Sequence, residues 1–410
     1  MTGQRTPLGT AVAEGKGREK LPLRALLALT TAVFLTALTE TLPAGVLPAM
    51  SGDLGVGESA MGQAVTVYAL GTALTAIPLS AATAGWPRKR LLLAAMAGFA
   101  VANTVTAVSA SYALTMVARG AAGVAAGLAW ALLAGYARRM VPVPLQGRAI
   151  AVVMTGVPVA LSLGVPAGTY LGETFGWRAA FGLMTAVAAG LLVWIAALVP
   201  DRPGPGRGGS APVRATLALP GVRPVLFVTL VYVLAHNVLY TYIAAFLDRH
   251  GMGGSTDVAL LVFGVTSMLS IWVVGARIDR RLRLLAVGGT VLFAVAVTLL
   301  AVGAGSAPLV FVAVGLWGLG WGGAPSLLQT AAADAGGDSA DTAQAVLVTL
   351  WNVAMAGGGV VGGVLLGAAG TGALAWSVLV LLAPALVAVV AARTHGFPSI
   401  RPGVTLPDED

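Results

Sequence analysis

Three side chains interrupt otherwise apolar stretches of this chain, and each is of a type that moves protons or holds charge: Glu40, Arg119 and His236. All but one of the 16 acidic residues fall in polar segments or at the ends of apolar runs. Glu40, inside "AVFLTALTETLPAGVLPAM" (32–50), is the exception. Arg119 is the only basic residue well inside a run, and His236 the only histidine there. Charged groups in such surroundings are costly, turn towards protein, and tend to be paired or to mark ion pathways. A carboxyl near a guanidinium, in surroundings that change, can bind a proton and release it. Glu40 is therefore the candidate proton carrier and Arg119 its electrostatic partner. A static reading stays open, as a buried ion pair or as a carboxylate hydrogen-bonded to Thr36 or Thr41 beside a proline-distorted turn. His236, with Asn237, Tyr240 and Tyr242, offers hydrogen bonds and aromatic faces to a small molecule, or is a satisfied interior histidine. Asn103, Gln329 and Asn352 are further candidates of that kind. Trp130, Trp317, Trp321 and Trp351 either line an aromatic cavity or pack.

The elements that must position these groups follow from composition. Of 410 residues, 57% are apolar and 10% charged, too little charge to cover a water-exposed surface. Twelve apolar runs are long enough to cross roughly 30 Å of hydrocarbon as helices. They lie near 25–47, 62–82, 91–109, 112–135, 149–171, 180–199, 224–246, 258–276, 285–303, 308–330, 343–367 and 374–392. At a rise of ~1.5 Å per residue, Glu40 lies roughly 12 Å and Arg119 roughly 10 Å below the same surface. His236 lies roughly 18 Å from the other surface by the same rise. The chain reads as an all-α, multi-pass membrane protein.

Of 24 basic residues, 21 fall on one side of that arrangement. They sit in the N-terminal tail, in the loops after runs 2, 4, 6 and 8, and in the C-terminal tail; the loop at 331–342 on that side instead carries Asp334, Asp338 and Asp341. Arg178 and Arg249 lie on the opposite side. Basic residues favour the cytoplasmic side, so both termini are expected there. No cleavable leader is expected, because no small-residue cleavage site follows a short apolar core. Without cysteine, the chain has no disulfide, thiolate metal site or cysteine nucleophile. No metal, cofactor or nucleic-acid partner is expected.

The segment 201–221, "DRPGPGRGGSAPVRATLALPG", divides six runs from six and reads as a flexible linker. The expected organisation is a cytoplasmic tail (1–24), a six-helix bundle (25–200), the linker (201–221), a second bundle (222–392) and a cytoplasmic tail (393–410). A shift of 195 residues lays Gly120, Gly123 and Gly127 on Gly315, Gly318 and Gly322, and Gly164, Gly168 and Gly172 on Gly359, Gly363 and Gly367. It also lays Arg88 on Arg283. A six-helix repeat in one orientation is a transporter signature, with the substrate site between the halves near mid-membrane. Glycines at a spacing of four let helices approach closely.

On these residues the chain resembles the major facilitator superfamily, and within it the twelve-helix proton-coupled drug and metabolite exporters. The superfamily's loop pattern Gly-x-x-x-Asp-Arg-x-Gly-Arg is similar to Gly275, Asp279, Arg280 and Arg283, with Leu282 in place of a glycine. In the first half Ser80 and Ala84 replace the glycine and aspartate, leaving Arg88. "VARGAAG" carries the Arg-x-x-x-Gly pattern as Arg119 and Gly123. "LGVPAG" resembles the exporter motif Gly-Pro-x-x-Gly as Gly164, Pro166 and Gly168, with Val165 inserted. "TETLPAGVLP", "GWRAAF" and "LYTYIAAFL" resemble bacterial sugar-, purine- and chloramphenicol-efflux proteins.

The resemblance implies two pseudo-symmetric six-helix bundles, neighbouring helices 1 and 4, and export in exchange for protons, with the proton gradient as the energy source. The cargo expected is a small, largely neutral or amphipathic molecule such as an antibiotic or metabolite, since one intramembrane acid offers little to a strongly basic one. A sugar or nucleoside is the alternative. A membrane enzyme is disfavoured because no run holds the Asp or His/Arg cluster that lipid-phosphate chemistry needs, and a sensor lacks a soluble output domain. A monomer in a bacterial inner membrane is expected, from a GC-rich genome given the abundant Ala, Gly and Arg and only three lysines.

Overall fold

The computed structural model describes residues 21–204 and 212–399. Most of the expected N-terminal tail (1–20), part of the linker (205–211) and most of the C-terminal tail (400–410) lie outside the described residues. Arg5, Lys16, Arg18, Lys20, Arg207 and Arg401 go with them.

Six helical passes make the first half: α1 (Leu23–Gly45), α2 (Glu58–Ala82), α3 (Arg88–Val108), α4 (Tyr112–Arg139), α5 (Val143–Phe175) and α6 (Trp177–Leu198). Beyond the short helix Val213–Ala218 in the described part of the linker, α7 (Val222–Thr241) continues as Ile243–Arg249. The run Gly253–Gly303 has 51 residues, about 75 Å of helix at 1.5 Å per residue and far more than one membrane crossing. It breaks at Arg281 (φ −136°, ψ 35°) into α8 (256–280) and α9 (282–303). Ser267 on α8 donates a hydrogen bond to the Gly318 carbonyl, and Phe293 on α9 stacks on the neighbouring Trp317. A straight helix would hold Ser267 and Phe293 about 39 Å apart, so the chain folds back at Arg281. The last passes are α10 (Ala307–Gly322, then Ala324–Gly336), α11 (Ala340–Ala369) and α12 (Thr371–Ala391).

Two segments expected to be loops are helical instead. Residues 277–283 stay helical apart from Arg281, and 331–342 are the end of α10, a 3-10 turn (Gly337–Ser339) and the start of α11. Gly337, at φ +52°, makes the reversal between them.

Each half buries its own apolar cluster, one drawn from residues 25–199 and the other from 222–397. The internal repeat is visible at the level of single bonds. Thr72 donates to the Gly123 carbonyl at 3.2 Å, and Ser267, 195 residues after Thr72, donates to the Gly318 carbonyl at 3.2 Å. A Cβ on Gly123 would collide with the Tyr68 carbonyl, and one on Gly318 would crowd the Phe263 carbonyl, again 195 residues on. The glycines thus let α4 touch α2, and α10 touch α8, backbone to backbone.

The α5/α11 pair departs from that register. Gly164 and Gly168 abut Phe34, Leu38 and Leu42 on α1, whereas on α11 Gly358 and Gly362 abut Asn237, Val238 and Tyr242 on α7. Gly359 and Gly367 have open space beside them. A π turn at Ala160–Gly164, which holds one more residue than an α turn, accounts for a displacement of one at Gly358 and Gly362, while Gly363 still meets the Tyr242 hydroxyl. Val165, the residue in excess before Pro166, is accommodated there.

The halves meet at the arginine-rich end. The Arg88 and Arg139 guanidinium groups both pair with the Asp341 carboxylate, in the first turn of α11. Arg138 donates to the Ala333 carbonyl and lies 3.8 Å from Asp334. Asp279 accepts from the backbone N–H groups of Gly147 (2.6 Å) and Arg148 (3.0 Å), capping α5 from the opposite half. Arg283 stays within its own half, donating to Val389, Val390 and Phe397 carbonyls at the end of α12, while Arg280 is exposed. On the opposite face Asp53 accepts from Trp177 Nε1 and Arg178, both in its own half.

Candidate functional site

The first half carries a buried polar centre. Glu40 lies one turn past Thr36 on α1, and both threonines near it are committed elsewhere: Thr36 Oγ1 donates to Ala32 at 2.7 Å and Thr41 Oγ1 to Ala37 at 2.8 Å. Such back-bonding satisfies a hydroxyl inside an apolar helix. Arg119 on α4 is fully buried. Its Nε donates to the Ala64 carbonyl at 3.4 Å, and its guanidinium lies over the Tyr68 ring, 5.0 Å from the centroid. Tyr68 in turn donates to the Thr36 carbonyl at 3.0 Å, tying the group to α1. Both terminal nitrogens of Arg119 lack a hydrogen-bond partner. Glu40 is close enough for its charge to act on Arg119 and Tyr68, yet among the described residues no ion pair joins it to Arg119. Glu40 is only partly buried. Asn103, buried on α3, donates to Thr39 at 3.2 Å and closes this centre from the side.

The second half puts rings where the first has polar groups. His236 on α7 stacks face to face on Trp321 of α10, with centroids 3.5 Å apart and planes 4° from parallel. Tyr240, Phe263 and Trp317 surround the same imidazole at 5.1, 5.8 and 5.3 Å, and Trp351 of α11 meets the outer side of Trp321. The His236 Nδ1 and Trp317 Nε1 atoms are buried without a partner. Beside the cluster lies a cavity of ≈ 290 Å³. Its first-half wall is α5, from Met154 to Ser162; its second-half walls come from α7, α8 and α10, including Tyr240, Phe263, Ser267 and Trp321. Neither Glu40 nor any other charged residue lines it.

The remaining candidates are dispersed. Gln329 bridges the halves, with Nε2 3.1 Å from Met154 Sδ, and its backbone carbonyl accepts from Gln344 at 2.6 Å. Asn237 and Asn352 each donate to the carbonyl one turn back, at 2.9 Å. Trp130 packs on the first-half cluster, whereas Trp317, Trp321 and Trp351 belong to the second-half one. Sequence reasoning passed over Met154, Val157, Pro158, Leu161 and Ser162, because apolar residues and a lone serine announce no chemistry. The available signal was the insertion before Pro166, which marks the π turn at Ala160–Gly164 beside the cavity.

A family model described as Major Facilitator Superfamily matches residues 29–359, most of the chain. The chain belongs to the major facilitator superfamily. This facilitator is 29% identical to a chloramphenicol efflux pump of Mycobacterium tuberculosis over 88% of its own length and 90% of the relative's. It is 32% identical to a chloramphenicol resistance protein of Streptomyces lividans, over 64% and 69% of the two chains. A probable sugar efflux transporter of Mannheimia succiniciproducens is 25% identical over 81% and 84%. Among solved structures, the proton:xylose symporter XylE superposes with a TM-score of 0.74 at 15% identity, covering 90% of this facilitator and 94% of that chain. The human organic anion transporter MFSD10 gives 0.72 at 17%, covering 90% and 100%. The fold is the major facilitator fold, and this facilitator is a multi-pass membrane transporter, not an enzyme.

Proposed function

We propose that this facilitator is an antiporter that expels a small neutral or amphipathic molecule, an amphenicol-type antibiotic or a metabolite, in exchange for protons. It works as a monomer in a bacterial inner membrane, with the arginine-rich end and both termini in the cytoplasm and the proton gradient as sole energy source. The printed names of the two chloramphenicol relatives favour efflux of such a molecule.

The observation that carries the reading is the unfilled electrostatic relation between Glu40 and Arg119. A guanidinium fully out of solvent, with two nitrogens unpartnered, is a costly arrangement that a carboxylate would relieve. Glu40 feels that charge without an ion pair to it, so a proton can come and go without one being broken first. Protonated, it leaves Arg119 unpaired; ionised, it is drawn to it. Movement of α1 between those arrangements reaches the cargo cavity through close packing. Leu38 and Leu42, flanking Glu40, press on Gly164 and Gly168 of α5, whose preceding turn forms the cavity wall. Coupling therefore runs through α1 and α5 rather than through contact between proton and cargo.

The test is transport in inverted vesicles. Glu40→Gln should lose pH-driven uptake while retaining cargo binding; undiminished uptake would remove the proposal. Sugar export is a second reading, favoured by the probable sugar efflux relative and by aromatic planes that can stack on a pyranose face.

A further inference from the structure

The cavity sits at the seam where α5 of one half faces α8 of the other, and its surroundings differ from those of the matching seam between α2 and α11. There, Thr349 donates to the Ala73 carbonyl at 3.2 Å, and Ile77 packs on the second-half cluster. On the α5/α8 seam the packing is closest over Gln146–Val159 and thins out beyond Val159. Leu161, Ser162 and Leu163, in the π turn that follows, are all exposed. Across the gap, Leu261, Val265 and Met268 of α8 are exposed as well. Leu161 and Ser162 line the cavity and are both exposed.

We infer that this cavity is a side pocket open to the bilayer between α5 and α8, and that it takes a neutral, amphipathic molecule carrying one flat aromatic ring. The ring class follows from the walls. Trp321, held by ring contacts with His236, Tyr232 and Trp351, contributes to the cavity lining together with Phe263 and Tyr240. Planar rings gain most from offset or edge contacts with such walls. The neutral charge follows from a lining with no acid or base, where an ion would be desolvated without compensation. The amphipathic part follows from four hydroxyls, Ser162, Tyr240, Ser267 and Ser326, set into the otherwise apolar lining. A molecule of that kind partitions into lipid, so a lateral mouth meets it where it is concentrated. The inference rests on the export reading only for the direction in which the cargo leaves.

The chain holds no cysteine, so Ser162→Cys gives a single attachment point for a nitroxide in reconstituted liposomes. Collisions with oxygen, which concentrates in lipid, are expected to exceed those with a water-soluble nickel chelate several-fold. Adding chloramphenicol, a neutral nitrophenyl amphiphile, is expected to slow the nitroxide and halve its oxygen collisions, whereas xylose leaves both unchanged. Dominant nickel collisions would overturn the lateral mouth. No response to chloramphenicol, or a response to xylose in its place, would overturn the ligand class. Gly264→Cys on the opposite wall gives the same readings if the first variant does not fold. Loss of antiport in Glu40→Gln with unchanged nitroxide behaviour would separate the two claims.

Discussion

Arg88 and Asp341 lie 253 positions apart and share a buried, charge-assisted hydrogen bond that ties the first half to the second. Their exposures are 3% and 10%, so neither charge is repaid by water if the other is removed. In the first half Ala84 replaces the aspartate of the superfamily's loop pattern, and the cross-half contact is carried instead by a carboxylate on α11 and arginines on α3 and α4. Asp341→Ala should destabilise the closed arginine-rich end by about 3 kcal/mol, close to a hundredfold change in the ratio of closed to open states. Spin-label distances across that end, between α4 and α10, should lengthen in the variant. An unchanged distance distribution would show that the pair does not hold the halves.

The glycine contacts separate two kinds of position on one helix type. Gly322 of α10 lies against the Ser267 backbone, so Gly322→Ala forces helices apart and should cost about 2 kcal/mol or more by overpacking. Gly359 of α11 has nothing within 4 Å, and Gly359→Ala should be neutral or slightly stabilising through helix propensity. Thermal unfolding in detergent, read by retention of the monodisperse peak, distinguishes them. Equal behaviour would contradict the packing.

What the sequence made readable was whatever chemistry or spacing betrays locally. Gly123 and Gly318 announced the repeat because close backbone approach forbids any larger residue at both. Glu40 and Arg119 stood out because charge is rare in apolar runs. The partners of Asp279 and Asp341 were hidden, since they lie across the halves and are set by tertiary docking, not by local pattern. The reversal between runs 8 and 9 was legible, but not its tightness: 277–283 was expected as a loop, whereas one non-helical residue, Arg281, suffices. The cavity wall on α5 left only the inserted Val165 as a trace.

Asp53 supplies a pH prediction outside the spans. Hydrogen bonds from Trp177 Nε1 and then Arg178 hold its carboxyl below the ordinary carboxylate range. A depressed value in the fold means the contribution is present above the unfolded value and is lost as pH falls through the folded one. Acidification below about pH 4 should therefore loosen the short helix Leu47–Leu54 between α1 and α2. Asp53→Asn should abolish that acid-dependent step while leaving neutral-pH stability little changed, because the site is exposed. Hydrogen exchange of residues 47–56 between pH 3 and 6 is the measurement.

Arg119 tests whether charge or geometry matters beside Glu40. Arg119→Lys keeps a cation but loses the planar fork that lies over Tyr68 and reaches Ala64. It should retain a measurable part of proton-driven export, with its pH profile displaced. Arg119→Ala should lose it about a hundredfold, because an ionised Glu40 then has no counter-charge. If alanine and lysine behave alike, with native pH dependence, Arg119 serves packing only.

Trp321 is the residue that joins the His236 stack to the cavity. Trp321→Ala removes one face of the stack and one wall for the cargo ring, and about 1 kcal/mol of aromatic contact should be lost beyond the area term. For a ring-bearing cargo that is a rise in the apparent KM of export of roughly five- to tenfold, with the maximal rate little altered. Trp321→Phe keeps a flat face and should recover most of the affinity. His236→Leu keeps the volume of the stack but not its planarity, and should raise KM less than Trp321→Ala does, since the imidazole does not itself line the cavity. A fall in maximal rate with unchanged KM in Trp321→Ala would move the residue from cargo contact to helix packing, and the aromatic wall would then have to be sought at Phe263 and Tyr240.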